Sequence, residues 1–178
     1  MKSLIKYLWV FALLLGIIAL VLFLLTPALN VSNLVETLQG KHTGSLLIFG
    51  ETDLTKQHGF YVVIFVLVLV SILSAFLGLI KHKIILLGSA LLFIATGILL
   101  FCLKSISLSI QISDISTSIL QKAATDLFNA KYTGLGVGPI LSGILLIFAG
   151  LFVSCNAVIK VNVKSKTKKK NSQKKTKK

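Results

Sequence analysis

The sequence has no arginine, and only five acidic residues stand against 19 lysines in its 178 positions. It has two cysteines and two prolines. Four long stretches, about residues 7–25, 60–80, 84–103 and 140–159, contain no Asp, Glu, Lys, Arg or His. Each lack excludes something. Pumps and ion-coupled transporters keep ionisable groups within the membrane, facing the bundle interior, and these stretches hold none. An intramembrane enzyme needs an acid, a base or a metal cluster, and none lies in these runs. No central proline breaks the last three runs to open a substrate site. Cys102 and Cys155 fall near opposite ends of the third and fourth runs. At about 1.5 Å per residue they stand roughly 20 Å apart along the membrane normal, whereas a disulfide needs Cα atoms within about 7 Å. Buried, inert thiols are expected.

What is present is apolar. Such residues make up 55% of the chain, too many to be hidden inside a water-facing domain of this size. A helix crossing the hydrocarbon needs about 20 apolar residues, and all four runs qualify. Lipid cannot satisfy an open backbone, so each run is expected to be helical despite its β-branched residues. The reading is an all-α membrane protein: a four-transmembrane-helix bundle over 1–160, followed by a polybasic tail over 161–178.

Lysine placement orients the bundle. Lys2 and Lys6 precede the first span, Lys81 and Lys83 sit in the short turn between spans two and three, and ten lysines lie from Lys160 onward. These regions share one side and hold no acid. The other side, loops 26–59 and 104–139, balances Lys41, Lys56, Lys104, Lys122 and Lys131 against Glu36, Glu51, Asp53, Asp114 and Asp126. The positive-inside rule then puts both termini in the cytosol, with the plasma membrane as the expected location. The first run and Thr26-Pro27-Ala28 have the outline of a signal peptide. A run of about 19 residues exceeds the 7–15 of a removable signal, so an uncleaved anchor is favoured.

The loops predict a small extracytoplasmic cap of short β-strands plus one amphipathic helix. Residues 105–113 alternate Ser or Gln with Ile or Leu, the period-two pattern of a half-buried strand, open to pairing with one from the first loop. From Asp114 the period lengthens: Ile115, Ile119, Ala123 and Leu127 recur at i+4, with Leu120, Ala124 and Phe128 beside them, as in an amphipathic helix ending near Tyr132. Ser45–Phe49 is a short apolar patch that suits a strand or a membrane-surface contact. The tail is Lys, Ser, Thr, Asn and Gln, and is expected to be unstructured. Its lysines, Lys160, Lys164, Lys166, Lys168, Lys169 and Lys170 first, are placed to meet anionic lipid head groups at about 1 kcal/mol each. Nucleic acid is not expected, because nothing folded or aromatic accompanies the basic run.

Small residues mark candidate packing faces within the spans. Ser71 with Ala75 and Ser74 with Gly78 lie on span two, Gly88 with Ala95 on span three, and Gly143 with Gly150 on span four. Small side chains let helix backbones approach in lipid, where packing replaces the hydrophobic effect. Asn156 can hydrogen-bond across helices. Gly134–Gly138 and Pro139 lead into span four, the proline suiting a first helical turn. His42 and His58 share a loop with three acids, but no HxxxH or CxxC spacing appears, so neither a metal nor another cofactor is expected.

The four spans, the longer first outer loop, the short Lys81-His82-Lys83 turn and the glycine-rich lead into span four resemble the layout of small tetraspan membrane proteins, the claudin-like arrangement among them. The tryptophan and cysteine pair that mark the first outer loop of claudins are missing, since Trp9 lies in span one and that loop has no cysteine, so claudin function does not carry over. The expectation is a non-enzymatic protein that packs with or organises a membrane partner or a second copy. The alternative is an oligomeric pore or passive transport component lined by Ser71, Ser74, Thr96 and Ser142.

Overall fold

The computed structural model describes the backbone of residues 2–32, 43–50, 57–80 and 83–175, with side chains within 7–32, 43–50, 57–77 and 84–156. In chain order the elements are α1 (Lys2–Leu25), β1 (Leu29–Val31), α2 (Gly44–Phe49), α3 (His58–Ile80), α4 (Lys83–Phe101), α5 (Leu103–Ile112), α6 (Ser118–Lys131), β2 (Tyr132–Leu135) and α7 (Val137–Lys175). Four helices are long and apolar enough to cross a membrane, over Tyr7–Leu25, His58–Leu77, Ile84–Phe101 and Val137–Asn156. Their outward faces are apolar throughout, with Phe11, Leu73, Leu91 and Phe148 all more than half exposed. A belt of that extent on every helix is the surface of a protein solvated by lipid.

Helix α7 is the hub. Its two largest interfaces are with α4 and α1, while α3 packs on α4. Helices α1 and α3 meet only lightly, and the short α2 contacts both of them there. Leu47 and Ile48 of α2 are buried, and the Phe49 ring stands edge-on to Phe65 at 5.7 Å. The Ser45–Phe49 patch is therefore helical, a wedge beside the spans.

The α4–α7 crossing is close because glycine permits it. A Cβ on Gly97 would stand 2.8 Å from the Gly143 carbonyl, and one on Gly143 would stand 3.0 Å from the Gly97 carbonyl. A turn and more along, a Cβ on Gly150 would meet Ile94 at 2.7 Å and the Ala90 carbonyl at 2.9 Å. Gly143 and Gly150 thus face Gly97 and Ala90. Gly88 and Ala95, also seven apart, are exposed on another face of α4, and nothing lies within 4 Å of a Cβ on Gly88.

Two sequence expectations are corrected. Residues 105–113 form a helix, not a strand. The backbone ladder of α4 continues across Cys102 (Cys102 N–H to Ile98 O, 3.2 Å; Ile106 N–H to Cys102 O, 3.0 Å), and extending a formed helix costs less than nucleating new structure. The serines that produced the alternation bond back along the helix, Ser109 to Ser105 O and Ser113 to Ile110 O. The two-stranded antiparallel sheet is instead built from β1 and β2, pairing Leu29 with Leu135, Asn30 with Gly134 and Val31 with Tyr132. Helix α7 runs from Val137 to Lys175. No Gly or Pro follows Gly150, and Lys and Gln are good helix formers, so nothing local stops it.

Leucine at Gly97 or Gly143 is expected to destabilise the bundle by about 1–3 kcal/mol, the usual cost of overpacking a tight contact. Gly88→Leu, which meets open space, should leave thermal stability in detergent unchanged. Equal losses at all three positions would contradict the α4–α7 crossing.

Candidate functional site at the sheet end of the bundle

The end of the bundle that carries the sheet also carries a buried cluster of neutral polar groups. Gln57, one residue before α3, and Tyr61 in its first turn are spaced i and i+4 and share a helix face. Ser107 and Gln111 on α5 have the same spacing and face them. Gln57 Nε2 donates to the Ser107 carbonyl at 3.1 Å and to Gln111 Oε1 at 2.9 Å. The Tyr61 and Ser107 hydroxyls bond at 3.1 Å. Gln57, Tyr61 and Ser107 are fully buried. A carbonyl can only accept, so the Ser107 carbonyl fixes which way the Gln57 amide faces. That leaves Gln57 Oε1 buried as an acceptor with no partner among the described residues. His58 Nδ1 lies 3.1 Å from the Leu47 carbonyl, which requires the proton on Nδ1 and ties α2 to the start of α3.

Beside this cluster the β1–β2 pair joins the ends of α1 and α7. Ser32 N–H donates to Lys131 O at 2.9 Å, Gly136 N–H to Ala28 O at 3.0 Å and Gly138 N–H to Pro27 O at 3.2 Å. At Gly136 a Cβ would collide with the Pro27 carbonyl. The Phe128 and Tyr132 rings pack with centroids 4.7 Å apart, and Lys131 Nζ lies 5.5 Å from the Tyr132 ring centre. Together these groups offer amide, phenol and hydroxyl hydrogen bonds. Among the described residues no three His, Cys, Asp or Glu side chains gather as metal ligands.

The residues singled out in the sequence divide as follows. Ser71 and Ala75 are buried and Ser74 is half-buried on α3; the Ser71 hydroxyl donates to Leu67 O at 2.7 Å and that of Ser74 to Ser71 O at 3.0 Å. Thr96 is buried and donates to Leu92 O at 2.7 Å. Ser142 donates across helices to Ala19 O at 2.7 Å. Asn156 is buried. Cys102 and Cys155 are free but exposed, which corrects the expectation of buried thiols: a thiol is apolar enough to face lipid, so the outward side of a span accepts it. The surroundings of Gly78 and the side chains of Lys160, Lys164, Lys166, Lys168, Lys169 and Lys170 lie outside the described residues, as do Glu36, His42, Glu51, Asp53 and His82.

Sequence reasoning missed Gln57, Tyr61, Ser107 and Gln111 as a set. The available signal was the i, i+4 spacing in both pairs, hidden on α5 by the stronger alternation. Comparison of the chain with family models, with curated proteins and with solved structures finds no match in any of the three.

Removing the Gln57 amide (Gln57→Ala) is expected to loosen α5, costing about 1–3 kcal/mol, and Tyr61→Phe about 1 kcal/mol. Amide hydrogen exchange over 103–112 should accelerate in the first variant more than in the second, with exchange in α4 and α7 unchanged. Uniform acceleration across the bundle would mean that the cluster does not act locally.

Proposed function

We propose that this is a non-enzymatic tetraspan protein that packs with or organises a partner in the membrane, with both termini cytosolic and the sheet end on the opposite side. The observation that carries the reading is how the bundle's polar groups are used. The hydroxyls of Ser71, Ser89, Thr96 and Ser142 are buried and bonded to helix carbonyls. No Asp, Glu, Lys or Arg occupies the four spans. Chemistry or ion relay within the membrane would need groups held in reserve, whereas these are spent on cohesion. Beyond the spans, α6 turns large apolar side chains outward, and an exposed apolar helix face outside the lipid calls for a partner.

The same hydroxyls count against the pore alternative. A polar path through assembled copies would be lined by Ser71, Ser74, Thr96 and Ser142; Ser71, Thr96 and Ser142 are instead buried in their own bundle, and the half-buried Ser74 bonds to Ser71 O. The lysines from Lys160 onward support a second contact, with anionic lipid on the cytosolic side, at about 1 kcal/mol per lysine near the surface.

Crosslinking in native membranes, followed by purification in mild detergent, tests this reading on the full chain and on one truncated after Lys160. A stoichiometric crosslinked species that survives purification is expected, and purified protein in liposomes should pass no ion or small solute. Recovery of the bare monomer together with measurable flux would overturn the reading in favour of a pore.

A further inference from the structure

We infer that α6 is a self-association element through which two copies pair, antiparallel and side by side, at the sheet end of the bundle. The inference rests on the partner-organising reading above and names the partner as a second copy of this chain.

Helix α6 has three faces. Phe128 is buried against the bundle, with Ala124 half-buried beside it. A second face is apolar and exposed: Ile119 is 77% and Leu127 72% accessible, with Ala123 exposed between them and Leu120 adjacent at 59%. At about 100° per residue, positions 119, 123 and 127 form one stripe along the helix. The third face is polar and includes Lys122 and Asp126, both exposed. Neither side chain has a hydrogen bond or ion pair with another described residue.

The pairing has α6 cross the end of the bundle rather than extend along it. Ser107 and Gln111 stand level with Tyr61 and Gln57, so Ile112 ends within about one turn of the start of α3. The other end is anchored by Lys131 O to Ser32 N–H, directly after β1. The pairing takes the roughly 21 Å of α6 to run across the bundle axis between these two points. Two copies in one bilayer are related by a twofold along the membrane normal, and helices lying across that axis pair antiparallel.

The sequence of α6 suits that symmetry. With Ala123 on the twofold, Ile119 of each copy meets Leu127 of the other, and the alanines allow close approach at the centre. Lys122 then lies about 3 Å along the axis from Asp126 of the second copy, and the pair occurs twice. Both charges fall on the same flank in the two copies, as a twofold of this kind requires. The apolar stripe and the two uncommitted charges are thus completed together by one partner. Confinement to a bilayer raises the effective concentration of the second copy, so a short interface suffices.

The test uses the full chain in native membranes, with Cys102→Ser and Cys155→Ser as background. Ala123→Cys should give a disulfide-linked dimer under mild oxidation, and Asn129→Cys, on the polar face, should not. Adding Lys122→Asp or Asp126→Lys to Ala123→Cys should each lower the dimer on the order of tenfold, and the two together should restore it. Equal crosslinking at 123 and 129, or no rescue by the double exchange, overturns the pairing. If the copies fail to crosslink while another protein co-purifies stoichiometrically, self-association falls and the partner-organising reading stands. If neither dimer nor partner is found, both fall.

Discussion

The close approach of α4 and α7 is the contact on which the bundle depends. Lipid tails are as apolar as leucine, so burying an aliphatic side chain between two spans gains little over leaving it in the bilayer. Cohesion must come from dispersion at short range and from hydrogen bonds that lipid cannot supply. Gly97 against Gly143, and Ala90 with Ile94 against Gly150, bring the two backbones together over about two turns. Because α7 also carries the largest interface of α1, the geometry set at that crossing decides where α1 stands. The Ser142 hydroxyl, one residue from Gly143, then donates to Ala19 O and fixes α1 against a neighbouring face of α7.

The polar residues of the spans follow from the same solvent. A hydroxyl in hydrocarbon needs an acceptor, and a carbonyl of the preceding helical turn lies within reach. Ser71, Ser89 and Thr96 take that route, and their faces turn inward as a result. Ser142 finds its acceptor on a neighbouring helix. The outward surface is left to Leu, Ile, Val and Phe, with two thiols that lipid tolerates. In a bundle arranged this way the buried hydroxyls are committed to cohesion.

How much of this was legible in the sequence depends on the length scale of each signal. The four spans were, because 20 apolar residues in a row have one physical solution. The choice of packing face on α4 was not. Gly88–Ala95 and Ala90–Gly97 are both seven-residue pairs of small residues, and small size alone does not say which face turns inward. The hydroxyls do: Ser89 and Thr96, themselves seven apart, lie next to Ala90 and Gly97, and polar groups in lipid face the protein. The helix over 105–113 was obscured for a related reason. Alternating Ser and Ile suit a strand by period, but α4 arrives already helical at Cys102, and its continuation outweighs local preference. The β1–β2 pair leaves almost no pattern, being three residues and four residues long and fixed by what the adjoining helices bring together.

The sheet end shows how such weak local signals become a defined structure. Antiparallel spans deliver α1 and α7 side by side, so the few residues that leave one and enter the other can pair for only a short distance. Gly136 and Gly138 permit this, since a side chain at either position would strike the Pro27 carbonyl or the Thr26 hydroxyl. At the same end, α5 reaches the level of the start of α3 and is held there by Gln57 and Tyr61. The chain then returns from the end of α5 to the start of β2 through α6. Its buried face is dictated by that path, through Phe128 and Tyr132. Its second apolar face is not: Ile119 and Leu127 stand exposed, and no step of that path calls for them to be apolar.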